Sequence, residues 1–166
     1  MLTVSFIAFL RVTLARYTFA RAMFRVATLA LAIAAFGPAT VAQSASSSAL
    51  KSVNAIRAAK GLPKLAVHPA LVKAAREQAD LMAHKGKMAH KVSVRHSFRR
   101  RMARVGWKGT AAENIARGQP SEQAVIRAWM SSRGHRRNIL NPRMRYIGMS
   151  ANRQNGRPYW AMVLGG

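Results

Sequence analysis

Apolar residues recur at helical spacing through most of the chain and alternate only near its end. From Ser48 to Lys60, Leu50, Val53, Ile56 and Ala59 step by three along one helical face. Gly61 closes this segment and Pro63 follows it. A second helix is predicted from His68-Pro69, where a proline in the first turn loses no needed hydrogen bond. Its apolar stripe is Leu71, Val72, Ala75, Ala79 and Met82, and Gly86 ends it. Ser93–Val105 reads as a third helix with Phe98, Met102 and Val105 inward. Ala111–Gly118 is predicted as a break between helices. Another helix is predicted from about Ser121 to Ser131, with Ala124, Val125, Ala128 and Trp129 inward. The stretch from Ser131 to Pro142 is predicted to be irregular, with at most one helical turn. The end reads as a hairpin: Tyr146–Ala151 and Tyr159–Leu164 flank Asn155-Gly156, a pair suited to the positive-φ positions of a two-residue turn. Helices first and strands last predict an α+β fold.

Composition narrows the chemistry. The 166 residues contain no Cys, so there is no disulfide framework, no thiolate metal site and no Cys nucleophile. Only four acids are present, too few for a carboxylate-rich calcium or magnesium cage. Against them stand 28 Lys and Arg, for a formal charge of +24.

The N-terminus gives that charge a location. Residues 1–42 hold four arginines (Arg11, Arg16, Arg21, Arg25) and no acid. An apolar run from Val26 to Phe36, then Gly37-Pro38 and Thr40-Val41-Ala42, completes the parts of a secretory signal. Cleavage is expected after Ala42, leaving Gln43 first, residues 43–47 as a linker and 48–166 as the domain. Met23 begins a more ordinary signal and is a second candidate start. The apolar core is short for a bilayer span, although Met1–Leu10 is also apolar and Val26–Leu50 is uncharged, which keeps an anchor as the alternative. Removing the signal lowers the charge only to +20. Outside the cytoplasm, in an extracellular or periplasmic setting, such a charge meets anionic envelope polymers and lipid headgroups rather than chromosomal DNA. The densest basic cluster is Arg95, Arg99, Arg100, Arg101 and Arg104, which the sequence places on an anion-binding surface. Phe98 is its only aromatic residue, which argues against nucleic acid.

Among the acids, Glu77 and Asp80 lie three apart on a helix and are expected to pair with Lys73, Arg76 or His84. Glu113 is different. Ala111, Ala112, Ile115 and Ala116 flank it, and a carboxylate among apolar residues needs a partner, a raised pKa or backbone N–H donors. The five histidines follow no zinc spacing, and each taken alone reads as a surface residue. Ser131 and Ser132 stand near His135, but a nucleophilic triad is a matter of geometry that spacing does not supply. Asn114 and Asn138 are expected to brace backbone, and Trp129 and Trp160 to lie in the core.

Four segments in order carry a family resemblance: Asn54-Ala-Ile-Arg-Ala-Ala-Lys-Gly-Leu-Pro, Met-Ala-His90, Ala-Glu113-Asn-Ile-Ala-Arg-Gly, and Trp129 followed by Ser-Ser-Arg-Gly-His135-Arg-Arg-Asn-Ile-Leu. With the closing hairpin they resemble the cysteine-free bacterial branch of the CAP superfamily, the SCP-like extracellular domains, over about residues 48–166. The resemblance implies an α–β–α sandwich with a small antiparallel sheet, and a cleft where His90, Glu113 and His135 converge. Ala112 stands where the family motif has Gly, and Ser132 where animal members carry a second acid. A mechanism with two carboxylates is therefore not implied. Two imidazoles and a carboxylate suit zinc with an open water position, or a general base oriented by a carboxylate. Arg133, Arg136 and Arg137 beside His135 instead favour an anionic small ligand.

Overall fold

The computed structural model describes residues 39–166. Residues 1–38, most of the predicted export signal, lie outside the described residues. The element order is α1 (Ala39–Ala58), β1 (Ala66–Val67), α2 (Pro69–Lys85), a 3-10 turn (Val94–His96), α3 (Phe98–Arg104), β2 (Ala111–Arg117), α4 (Glu122–Ser131), α5 (Arg133–Ile139), β3 (Tyr146–Gln154) and β4 (Arg157–Gly165). Among these described residues no helix is long and apolar enough to cross a membrane.

The sheet runs β1-β3-β4-β2. β4 pairs antiparallel with both β3 and β2, whereas β1 adds two residues in parallel to β3. The sheet is thus mixed rather than wholly antiparallel. Alternation along β4 sorts its side chains between two cores. Trp160, Met162 and Leu164 pack with Val53 of α1, Trp129 of α4 and Ile139 of α5. Tyr159, Ala161 and Val163 pack with Leu71, Ala75, Ala79 and Met82 of α2 and Met102 of α3. Helices therefore cover both faces, which is the α–β–α sandwich the resemblance implies.

Local chemistry sets the element ends. The His68 ring accepts from the Ala70 N–H at 3.2 Å to cap α2, and Gly86, at φ 61°, closes it in the left-handed region. Asn155 and Gly156, at φ 51° and 74°, make the predicted two-residue hairpin turn. At Gly148 of β3 an added Cβ would lie 2.1 Å from the Leu71 carbonyl carbon, so only glycine lets the sheet meet the first turn of α2.

Several expectations need correction. α1 starts at Ala39, not Ser48, and takes in the segment 43–47 read as a linker; after Pro38 that stretch holds no Gly or Pro to stop a helix. Its buried face is Ala49, Val53 and Arg57 at a spacing of four, and Ala59 is exposed. The third helix is divided, with a 3-10 turn ahead of α3 and Ser97 between them. Ala111–Arg117 is a strand, and the irregular stretch after Ser131 contains the helix α5. Neither Glu77 nor Asp80 pairs along its own helix. Glu77 pairs with Arg104 of α3, and Asp80 accepts from the Asn152 side chain at 2.7 Å.

Arg57 is completely buried without a carboxylate. Its Nε donates to the Pro63 carbonyl at 2.9 Å, and its Nη atoms to the carbonyls of Ile139 (2.7 Å), Asn141 (3.0 Å) and Met144 (3.2 Å). Burial, and secondarily the charge of Arg145, lower its pKa. Fixed carbonyl dipoles stand in for a counter-ion and tie α1 to the segment that follows α5.

Candidate functional site

The site is organised by β2, the edge strand. Successive side chains of a strand point to opposite faces, so Glu113 and Asn114 enter different layers. Glu113 pairs in register with Val163, on the α2–α3 side. Asn114 turns the other way and donates to the His135 carbonyl of α5 at 3.1 Å. Asn138 donates to the Asn114 side chain at 2.9 Å, while the Trp129 indole N–H donates to the Ile115 carbonyl at 3.1 Å. Side chains from α4 and α5 thereby satisfy an edge that no further strand covers.

Glu113 is buried, and both its carboxylate oxygens are engaged. The fully buried Arg101 guanidinium donates to Oε1, and His90 Nδ1 lies 2.8 Å from Oε2. Arg101 also donates to the His96 carbonyl at 2.9 Å and reaches that of His90 at 3.4 Å, which fixes the loop carrying His90. An ionised carboxylate only accepts, so the His90 Nδ1–H donates and its Nε2 is left to face outward. The His90 side chain is 54% exposed against 2% for Glu113: a buried anchor holds an accessible imidazole.

His135 is half-buried on α5, with its ring 6.5 Å from that of Trp129. Burial lowers its pKa first, and the charge of His90 lowers it further. His135 therefore favours its neutral form. His90 and Glu113 are joined directly, whereas His135 is tied to β2 on its other face, through its carbonyl and Asn114. Among the described residues no group of three or more His, Asp or Glu side chains is placed to hold a metal.

The remaining sequence candidates separate. Arg101 does not belong to an anion-binding surface: it is buried, because Glu113 has to be neutralised inside the fold. Arg104 is taken by Glu77, whereas Arg95, Arg99 and Arg100 are exposed. Sequence reasoning missed Arg101 as a site residue because five arginines in ten positions look like one solvated face. The Ser131 hydroxyl donates to the Arg127 carbonyl at 3.1 Å, a helix back-bond rather than a link to His135. Ser132 joins α4 to α5.

The family model described as cysteine-rich secretory protein family (CAP) matches residues 50–164. The uncharacterized protein YkwD of Bacillus subtilis (strain 168) is 40% identical over 97 residues, 58% of this chain and 38% of that protein. The chain matches little more than a third of that relative's length. Among solved structures, an extracellular protein containing a SCP domain from Bacillus anthracis str. Ames superposes with a TM-score of 0.69 at 21% identity, over 75% of this chain and 41% of that one. An outer surface protein of Borrelia burgdorferi gives 0.64 at 19% identity, over 70% and 87%. At such identities the likeness is one of fold.

Proposed function

Since the chain belongs to the CAP, or cysteine-rich secretory protein, family, we propose that it is an exported domain whose cleft at His90, Glu113 and His135 binds a ligand through its two imidazoles. Its similarity in fold to an extracellular and to an outer surface protein supports export, in line with the signal pattern of residues 1–42. The observation that carries the cleft is the buried Glu113, clamped by Arg101 and turned onto an exposed His90.

With both oxygens occupied, Glu113 orients a base rather than acting as one. It holds the His90 ring and directs Nε2 outward, where the lone pair accepts a proton or a donor group from a ligand. His135, disposed to stay neutral, supplies a second imidazole. No reaction is assigned to this arrangement.

A divalent ion such as zinc is the second reading, and paired neutral imidazoles are its natural donors. His90 and His135 would hold it, and Glu113 would orient His90 in the manner of a carboxylate behind a metal-bound histidine. Such an ion supplies Lewis acidity to a bound ligand. Titration of Zn²⁺ against the wild type and a His90→Ala/His135→Ala variant tests this. The melting temperature is expected to rise in the wild type alone, and equal shifts in both refute the metal reading. Export is checked by N-terminal sequencing of protein from the medium or periplasm. Gln43 is expected first, and a chain from that fraction beginning at Met1 contradicts cleavage.

A further inference from the structure

Apart from the cleft, α2 ends beside the β3–β4 turn, and an open groove of about 580 Å³ lies between them. His84 and Lys85 of α2 form one wall, Gln154, Asn155 and Arg157 of the hairpin form the other, and Tyr159 lines it as well. Arg117 of β2 adjoins the groove. Its guanidinium lies 5.9 Å from the centre of the Tyr159 ring and reaches the Gly86 carbonyl at 3.5 Å. We propose that this groove is a binding site for a phosphate-bearing ligand.

The argument rests on where the acids go. The chain has four, and none is paired with a cation of the groove. Glu77 pairs with Arg104, Asp80 accepts from Asn152, and Glu113 lies between Arg101 and His90. Glu122 accepts from Ser48 and the Ala49 backbone. None of these acids forms an ion pair with Lys85, Arg157 or Arg117; Asp80, one helical turn before His84, keeps its charge, and the three cations outnumber it. The negative end of α2 offers little compensation, because the N–H groups of Gly86 and Lys87 take the Ala83 and Met82 carbonyls, each at 3.1 Å. The cations therefore face one another across solvent, each raising the potential felt by an incoming anion.

The lining favours phosphate over a single carboxylate. Positive side chains come from both walls, and a phosphate ester carries roughly −1.5 to −2 charge at neutral pH. A guanidinium fork and a lysine point charge suit its several oxygens, and the amides of Gln154 and Asn155 add neutral donors. The groove is concave and supported by the fixed Gly86 cap and the Asn155-Gly156 turn, so it fits one group or chain segment rather than a flat headgroup layer.

The test measures inorganic tripolyphosphate binding to the full chain by calorimetry at low salt. Two charge-equivalent reversals are compared: Lys85→Glu/Arg157→Glu in the groove and Arg99→Glu/Arg100→Glu on exposed α3. The groove variant should bind about tenfold more weakly or worse, and the α3 variant less than about threefold more weakly, with melting temperatures near that of the wild type. Lys85→Gln/Arg157→Gln provides the same comparison should the reversal unfold the chain. Equal weakening by both sites, or no binding by the wild type, overturns the proposal. So does attachment to phosphatidylglycerol vesicles that tripolyphosphate does not compete away. The outcome is independent of the zinc titration, because no groove residue belongs to the cleft.

Discussion

Replacing Arg101 by Met should be among the most damaging single substitutions in the domain, although sequence alone places it on the surface. Arg101 is fully buried and neutralises a carboxylate that is itself 2% exposed. Removing one partner of a buried pair leaves an uncompensated charge and costs about 3–5 kcal/mol. The lost bond to the His96 carbonyl at 2.9 Å adds to the loss. For a domain of about 120 residues this lowers the melting temperature by roughly 10–20 °C. Urea denaturation of Arg101→Met at pH 7 measures it, with Arg104→Met as control. The control breaks a pair whose side chains are 43% and 33% exposed and should cost about 1 kcal/mol or less. A double variant, Arg101→Met/Glu113→Gln, removes the stranded charge and should recover about 2 kcal/mol. If Arg101→Met costs no more than Arg104→Met, or if the double variant recovers nothing, Glu113 is not held by charge neutralisation and the account of the site fails.

Four further outcomes follow from the same structure. Burial depresses the His135 pKa below the ordinary 6.5, so the unfolded chain takes up the proton first as pH falls; the stability His135 contributes is complete above about 6.5 and declines below it. Denaturation of wild type and His135→Gln at pH 8 and pH 5.5 should therefore shift the comparison toward the variant at low pH, whereas a constant difference contradicts the depressed pKa. Glu122, raised above 4.5 by burial, works in the opposite sense: its contribution is complete below 4.5 and is lost as pH rises through its folded pKa, so Glu122→Gln should gain relative to wild type between pH 4 and pH 7. Arg57→Lys should cost about 3 kcal/mol or more in urea denaturation, because one ammonium cannot reach four carbonyls set around a planar fork. Gly148→Ala should cost about 2 kcal/mol or more by thermal melting, since the new methyl group meets α2 backbone rather than a side chain that can yield.

What was legible in the sequence is what depends on near neighbours. The Asn155-Gly156 turn, the Pro69 start and Gly86 stop of α2, and the burial of Trp129 follow from local rules, and the structure shows them. Strand β2 was not legible. Its Ala-Ala-Glu-Asn-Ile-Ala-Arg has little β-branched content and is fixed by β4 on one side and by Trp129 and Asn138 on the other. The acceptors of Arg57 lie as far as Met144, a separation that no window of periodicity covers. A charge count treats every arginine as solvated, so the two that hold the interior together, Arg57 and Arg101, are the two it misplaces.

That misplacement bears on the chemistry of the cleft. Four matched segments drew His90, Glu113 and His135 together, but nothing in them said whether Glu113 would be free to accept a proton. Its partners decide the matter. Arg101 occupies one oxygen and cancels the charge, while His90 occupies the other, so the proposed cleft would offer incoming groups imidazole lone pairs and little net negative potential. A dication gains less from such a site than from one with a free carboxylate, and Ser132 adds no second acid. The scarcity of acids thus acts twice. It would leave the proposed cleft to its two histidines, and it leaves Lys85, Arg157 and Arg117 at the groove without an ion-pair partner. If both proposals hold, ligand selection rests on two separable quantities, the basicity of the imidazoles in one place and an excess positive field in the other. Added salt should weaken tripolyphosphate binding at the groove steeply while changing ligation at the cleft far less, because screening acts on the field and not on a lone pair.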